Sequence, residues 1–291
     1  MQQILTVSAL LIVGIATSLT ASAAQVENGT LKVEAGAVAT VAPGKTAILV
    51  DSLIMEEASQ IELSDETPLF LLWAKHVMAG NGTRIIAQGR AGETPGGDGK
   101  DGPTVVLILE DVNNVRGLTV ASIGGDGAQG RSGDRGTRGK DASCSSASSG
   151  GNGGKGGNGG RGGNAGSGGR VFLIVPQNSS GYGISMITQP GNAGEGGAAG
   201  PGGDGGAGKR NCGIWPYFHL GSGDRGPSGS KGGSGTEGKW GGFRTYTVEN
   251  FQEETLADRL SNIIEVLREG GYPGDADALR AVLDAGGLVH N

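Results

Sequence analysis

Short apolar runs broken by turn residues fill the first third of the chain. Leu31-Lys32-Val33, Thr46–Val50, Ser52–Met55, Gln60–Leu63, Leu69–Trp73 and Thr83–Ala87 follow one another, bounded by Gly, Pro, Asn and Asp. Runs this short with such boundaries predict strands, not helices. Their spacing fits the rungs of a β-solenoid or a small sandwich. From Thr83 the same strand type recurs in a larger unit of strand, glycine hairpin and strand, repeated three times, which favours the solenoid. The first unit is TRIIAQG, a short arm Arg90–Pro103, and TVVLILEDV. The second is LTVASIGG, a long arm, and RVFLIVPQ; the third is ISMITQPG, a long arm from Gly191 to Gly242, and FRTYTVEN. Val105, Leu107, Leu109, Phe172, Ile174, Ile184, Met186 and Tyr246 give these strands an apolar face that the arms lack.

Near the C terminus the period changes. Leu256, Leu260, Ile263, Ile264 and Leu267 fall at helical spacing within Glu254–Glu269, the stripe of an amphipathic helix, and Gly270-Gly271 ends it. A second helix is expected from Asp275 or Asp277 to Ala285, with Leu279, Val282 and Leu283 inward. A hairpin of this kind caps the end of a solenoid or docks a protein partner.

Composition explains why the arms need those strands. Glycine is 61 of 291 residues and aromatics only 4%, so a large conventional core is not expected. In the second arm glycine falls on every third residue from Gly124 to Gly139. After a tip at Asp141–Ser149 it falls on two of every three, from Gly150/Gly151 to Gly162/Gly163. A period of three matches the extended three-per-turn helix, which has no internal hydrogen bonds. One glycine face admits one neighbouring backbone; two faces imply an interior rod with neighbours on two sides. Ordering the backbone costs about 1–2 kcal/mol per residue, and inter-rod bonds at about 0.5–1.5 kcal/mol each offset it. Strands pinned side by side would hold the arms parallel; without them the stretch is a flexible linker. The second and third arms run out over similar lengths, roughly 50 Å at ~3.1 Å per residue. Equal arms put Cys144, in one tip, beside Cys212, in the other.

Met1–Ala24 reads as a secretory signal. An apolar run from Ile4 to Leu19 precedes Ala21-Ser22-Ala23-Ala24, although the first residues carry no Lys or Arg. The run is short for a bilayer span, and no other segment reads as one. An exported chain with two cysteines is expected to hold one disulfide, Cys144–Cys212. Net charge is −6 with both signs interspersed along the arms, which offers no basic stripe for nucleic acid. The expected fold is mainly β and irregular, with a signal peptide at 1–24 and a strand-rich region at 25–88. A glycine-rich bundle with interleaved strands follows at 89–250, then a helical hairpin at 251–291.

Glycine hairpins in threes, standing on apolar strands over roughly Gly89–Gly242, resemble the polyglycine-II bundles of phage tail-fibre adhesins and springtail antifreeze proteins. The likeness to collagen is one of composition only. The adhesin resemblance implies distal loops that read surface receptors; the antifreeze resemblance implies an ice-binding face. Ice binding calls for a repeated threonine face, and the arms carry only Thr137 and Thr236 at triplet positions.

Gly96-Gly97-Asp98-Gly99-Lys100-Asp101 opens like a calcium-binding nonapeptide, but Pro103 stands where a large apolar residue belongs and no tandem copy follows. Gly221–Gly226 spells G-x-G-x-x-G without a strand–helix unit around it, a chance match in so glycine-rich a chain. His76, His219 and His290 sit in separate segments; His76, near a strand, is expected to be partly buried. No residue reads as catalytic and no cofactor or metal is implied. The third tip is different: Trp215, Tyr217, Phe218 and His219 concentrate rings in a chain that has few. They either pack the two tips together or form a binding platform. The sequence thus points to a secreted or cell-surface binding module facing a surface glycan or matrix component. A structural spacer without a specific ligand is the alternative.

Overall fold

The structure, a computed structural model, describes residues 24–27, 29–43, 47–63, 68–179, 183–213, 218–248 and 256–285. The N-terminal strands are β1 (Ala24–Glu27), β2 (Thr30–Val33), β3 (Val38–Val41), β4 (Ala47–Met55), β5 (Gln60–Leu63), β6 (Leu69–Ala79) and β7 (Thr83–Gln88). Next come β8 (Thr104–Leu109), β9 (Asn114–Val115), β10 (Leu118–Ile123), β11 (Arg170–Pro176) and β12 (Ile184–Gln189). Two short tip strands, β13 (Lys209–Cys212) and β14 (Phe218–Leu220), precede β15 (Gly242–Val248). Helices α1 (Leu256–Glu269) and α2 (Pro273–Ala285) follow. The fold is mainly β with two C-terminal helices. Residues 1–23, which hold nearly all of the expected signal sequence, lie outside the described residues.

Past β1 the chain visits two parallel sheets in turn. One runs β1-β2-β4-β6-β8-β11-β15, with β9 beside β6; the other runs β12-β10-β7-β5-β3. Parallel register stacks like on like. Ala39, Ile61, Ile85, Val120 and Met186 align across one sheet. Ile48, Leu72, Leu107 and Leu173 align across the other. Early strands alternate buried and half-buried positions, as expected with one face on the core. The run expected to break at Asp51 is one continuous strand, β4. Strand β3, VATV, is an element not singled out above; it buries Ala39 and Val41.

The helices pack on a sheet face rather than across the end of the stack. Leu69, Leu71, Val106, Ile108, Phe172 and Ile174 point away from the inner core and meet Leu260, Ile263, Ile264, Leu267, Ala276 and Leu279. Strands β8 and β11 are therefore buried on both faces, which explains their near-continuous apolar sequences. Asp275, in the first turn of α2, ion-pairs with Arg170 and accepts a 3.2 Å bond from Thr104 Oγ1. End-capping or partner docking was expected; instead the hairpin covers the outer apolar face of β6, β8 and β11.

Each arm leaves from the end of a strand in the five-stranded sheet and returns into the other sheet: β7 to β8, β10 to β11, β12 to β15. Along the arms, glycine N–H groups donate to carbonyls of neighbouring arm segments. In the return segment of the second arm, Gly153, Gly156 and Gly159 donate to Asp224, Pro227 and Ser230 of the third arm. The second glycine of each pair donates elsewhere: Gly154, Gly157 and Gly160 bond Thr137, Asp134 and Arg131 of the outgoing segment. Their own carbonyls accept from Gly203, Gly200 and Gly197. Two glycine faces thus go with three neighbours, because acceptor carbonyls leave no mark in the sequence.

The residues between the glycines bridge the arms laterally. Asp98 Oδ1 accepts from Asn164 N (2.7 Å), and Asn164 Oδ1 in turn from Thr236 N (3.0 Å), tying all three arms. Asp101 with Ser167 N (2.7 Å) and Asn158 with Ser230 N (3.0 Å) repeat the pattern. The two carboxylates of the calcium-like motif are therefore engaged in holding one arm to the next.

Glycine packing of this kind is testable position by position. A Cβ on Gly156 would lie 2.0 Å from Gly200 O, whereas on Gly160 its nearest neighbour is Arg131 N at 3.2 Å. Gly156→Ala should cost about 3 kcal/mol by overpacking. Gly160→Ala should be close to neutral, since a gain of about 0.4–1 kcal/mol from the unfolded chain offsets the tighter contact. Lys155→Ala, at an exposed position, should fall within about 0.5 kcal/mol of wild type. Denaturant melts of the three variants check the order. A second test concerns Tyr246, whose buried hydroxyl has no hydrogen-bond partner. Tyr246→Phe should be neutral or up to about 1 kcal/mol stabilising. Burial raises the phenol pKa, so the unfolded chain ionises first. Wild-type stability should then fall as pH rises past the unfolded value of about 10, and this component of the fall should vanish in Tyr246→Phe.

Candidate functional site

The far ends of the second and third arms meet. Ala142 N donates to Ala207 O and Asp141 Oδ1 accepts from Ala207 N, both at 2.8 Å. Beyond this last pair the second arm turns through a serine-rich loop. Ser143 and Ser148 exchange backbone bonds of 3.0 and 3.1 Å. Their hydroxyls pair with Ser145 at 2.9 Å and Ser146 at 2.8 Å respectively. The third arm turns through the antiparallel pair β13–β14, with Asn211 and Gly213 at φ +59° and +99°. The Cys144–Cys212 disulfide joins the two turns, with a Cα separation of 5.2 Å. Cys212 is buried, so the bond forms the floor of the tip.

Of the expected platform residues, Trp215 and Tyr217 lie outside the described residues, together with Ile214 and Pro216. Phe218 and His219 stand on β14. Phe218 is 41% exposed, and His219 is exposed with its Nδ1 accepting from Asn211 N at 3.4 Å. Phe218 therefore does not serve as buried packing between the tips. Lys209 and Arg210, both exposed, add cations that no sequence motif singles out. The tip offers an open ring, an imidazole, two cations and serine hydroxyls: stacking and hydrogen-bonding groups on a covalently fixed floor.

His76 departs from expectation. The alternation of β6 shifts phase after Ala74, so that Val77 and Ala79 take the core positions and His76 is turned outward, exposed and 3.7 Å from Asp111. Among the described residues no three metal-ligating side chains converge.

A second concave surface lies at the foot of the arms. A groove of about 450 Å³ is lined by residues of all three return segments and by Tyr272 from the turn between the helices. Arg170 and Arg244 both lie against the Tyr272 ring, their guanidinium carbons 4.7 and 4.9 Å from its centroid. Arg244 Nε also donates to Tyr272 Oη at 2.8 Å. Tyr272 itself packs edge-on against buried Phe172, with centroids 5.7 Å apart. Trp240 at the rim is 74% exposed and Phe243 58%. The signal for this groove lies in Lys239-Trp240-Gly241-Gly242-Phe243-Arg244, two rings and two cations closing a return segment that carries no other aromatic ring from Gly221 onward.

No protein-family model, curated protein or solved structure matches this chain. The geometry of the two surfaces is therefore the basis for reading function. The disulfide itself indicates a compartment outside the reducing cytosol. No helix among the described residues is long and apolar enough to cross a membrane.

The disulfide closes a sequence separation of 68 residues, for which the chain-entropy model gives about 4 kcal/mol. Cys144→Ser/Cys212→Ser should lose about 2–4 kcal/mol of stability in denaturant melts. Non-reduced peptide mapping of the wild-type protein should recover the linked pair, and two free thiols would contradict it.

Proposed function

We propose that the protein is an exported, non-catalytic binding module. Three glycine hairpins form a polyglycine-II bundle standing on a β-solenoid base, and the bundle presents the disulfide-floored tip to a surface glycan or matrix component. The observation that carries this reading is the tip itself: a fixed covalent floor beneath an exposed Phe218 and His219. A spacer has no use for open rings at its far end, and exposing them costs solubility. The regular inter-arm bonds support the rigid presentation, because a fixed loop loses less entropy on binding. The aromatic run Trp215–Phe218 supports the choice of partner, since Trp and Tyr recur at binding hot spots and ring faces stack on sugars.

Trp215→Ala/Tyr217→Ala and, separately, Phe218→Ala should abolish attachment in a whole-cell or glycan-array assay without shifting the melting curve. Wild-type attachment by these variants would reduce the bundle to a spacer. Unfolding of the variants would assign the rings to tip packing instead.

A further inference from the structure

The groove at the foot of the arms is built as a binding site in its own right. Its floor is formed by Gly102, Gly168, Gly169, Gly241 and Gly242, so the backbone lies bare beneath any occupant. Trp240 stands at the rim, 74% exposed, although nothing in its arm needs an indole there. Beside it are Lys239 and Arg244. Among the described residues neither has a carboxylate within ion-pairing distance.

The other charges of the groove are already engaged. Arg170 pairs with Asp275, and Asp101 Oδ1 accepts from Ser167 N at 2.7 Å. Positive charge is left in excess on a protein whose net charge is −6. The Arg244 guanidinium is also held in place, by its bond to the Tyr272 hydroxyl and by the ring below it. Tyr272 is fixed in turn against Phe172. A preoriented cation next to an open indole costs little further ordering when it binds.

We propose that this groove binds an acidic oligosaccharide. The apolar face of a pyranose ring would stack on Trp240, and a ring carboxylate would sit between Lys239 and Arg244. Carboxylates borne directly on sugar rings match what the groove offers: one stacking surface, two available cations beside it and a bare peptide floor. Nucleic acid fits less well, because affinity for its dense phosphate charge needs a longer run of cations. The site is separate from the tip and does not depend on the tip's function.

The test is a calorimetric titration of the full exported protein with oligogalacturonate at low salt. Wild type should bind saturably, with affinity falling as salt is raised. Trp240→Ala and Lys239→Ala should each weaken binding about tenfold with an unchanged melting temperature, because both side chains lie on the groove's exterior. Trp215→Ala/Tyr217→Ala should bind oligogalacturonate like wild type, which separates this site from the tip. The proposal is overturned by absent wild-type binding, by equal affinity of the groove variants, or by equal affinity for a neutral cello-oligosaccharide. Tighter binding of single-stranded oligothymidylate would assign the groove to nucleic acid instead.

Discussion

The hydrogen bond between glycine N–H on one arm and a carbonyl on the next is the interaction everything beyond the sheets depends on. Extended segments have no bonds of their own to satisfy their peptide groups, so each arm is ordered only by its neighbours. The approach is close enough that a Cβ on Gly153, Gly156 or Gly159 would lie 1.9–2.0 Å from a carbonyl oxygen. Register must therefore be right as well as composition. The lateral bridges span 66 residues between the return segments of the first and second arms and between the outgoing segments of the second and third, and 72 between the return segments of the second and third. Strand pairing shows the same offsets, Val105 with Val171 and Val171 with Phe243. Both offsets are whole multiples of the three-residue period. The sheets thus deliver each return segment to its neighbour with glycines already in phase.

This makes the base more than a platform. Burial of Leu72, Leu107 and Leu173 on one face and of Val106, Ile108, Phe172 and Ile174 on the other anchors the strands from which the arms spring. Apolar burial at roughly 25 cal/mol per Å² is a term the arms themselves cannot supply. The helical hairpin completes it by drying the outer face of β8 and β11. At the opposite end the disulfide restrains the two long arms where neither of the two large sheets reaches. Order is imposed from both ends, and the hydrogen bonds between them need only hold a geometry already set.

Much of this is legible in the sequence. Period-three glycine marks the arms, the doubled glycines of Gly150–Gly163 mark the interior segment, and equal arm lengths pair Cys144 with Cys212. Helix α1 is visible in the spacing of Leu260, Ile263, Ile264 and Leu267. The rest consists of relations that no local pattern encodes. Helical periodicity says that a face is apolar, not that Phe172 and Ile174 are what it covers. The outward turn of His76 depends on a phase shift within β6, where the core positions pass from Phe70, Leu72 and Ala74 to Val77 and Ala79. The bridging role of Asp98 and Asn164 depends on an offset of 66 residues, far outside any window in which a motif could be seen. Trp215 and Tyr217, the rings that make the tip conspicuous in the sequence, lie outside the described residues. Phe218 and His219, both exposed on β14, are the members of that cluster the structure describes.

The same constraint decides where recognition chemistry can reside. Within an arm, glycine takes one or two positions in three, and short polar residues between them are engaged in lateral bridges, as Asp101, Asp126 and Asn158 are. A large ring on an inward face would push two backbones apart and break a row of bonds. Rings in the arms are therefore confined to two places, the turn at the far end and the re-entry into β15, where Trp240 takes an exposed position between Gly238 and Gly241. Trp215, Tyr217 and Phe218 occupy the first; Trp240 and Phe243 occupy the second. A glycine framework of this kind carries its rings only at its ends. The two ends differ in how their groups are held, by a disulfide at the tip and by Tyr272 of the helical hairpin at the foot.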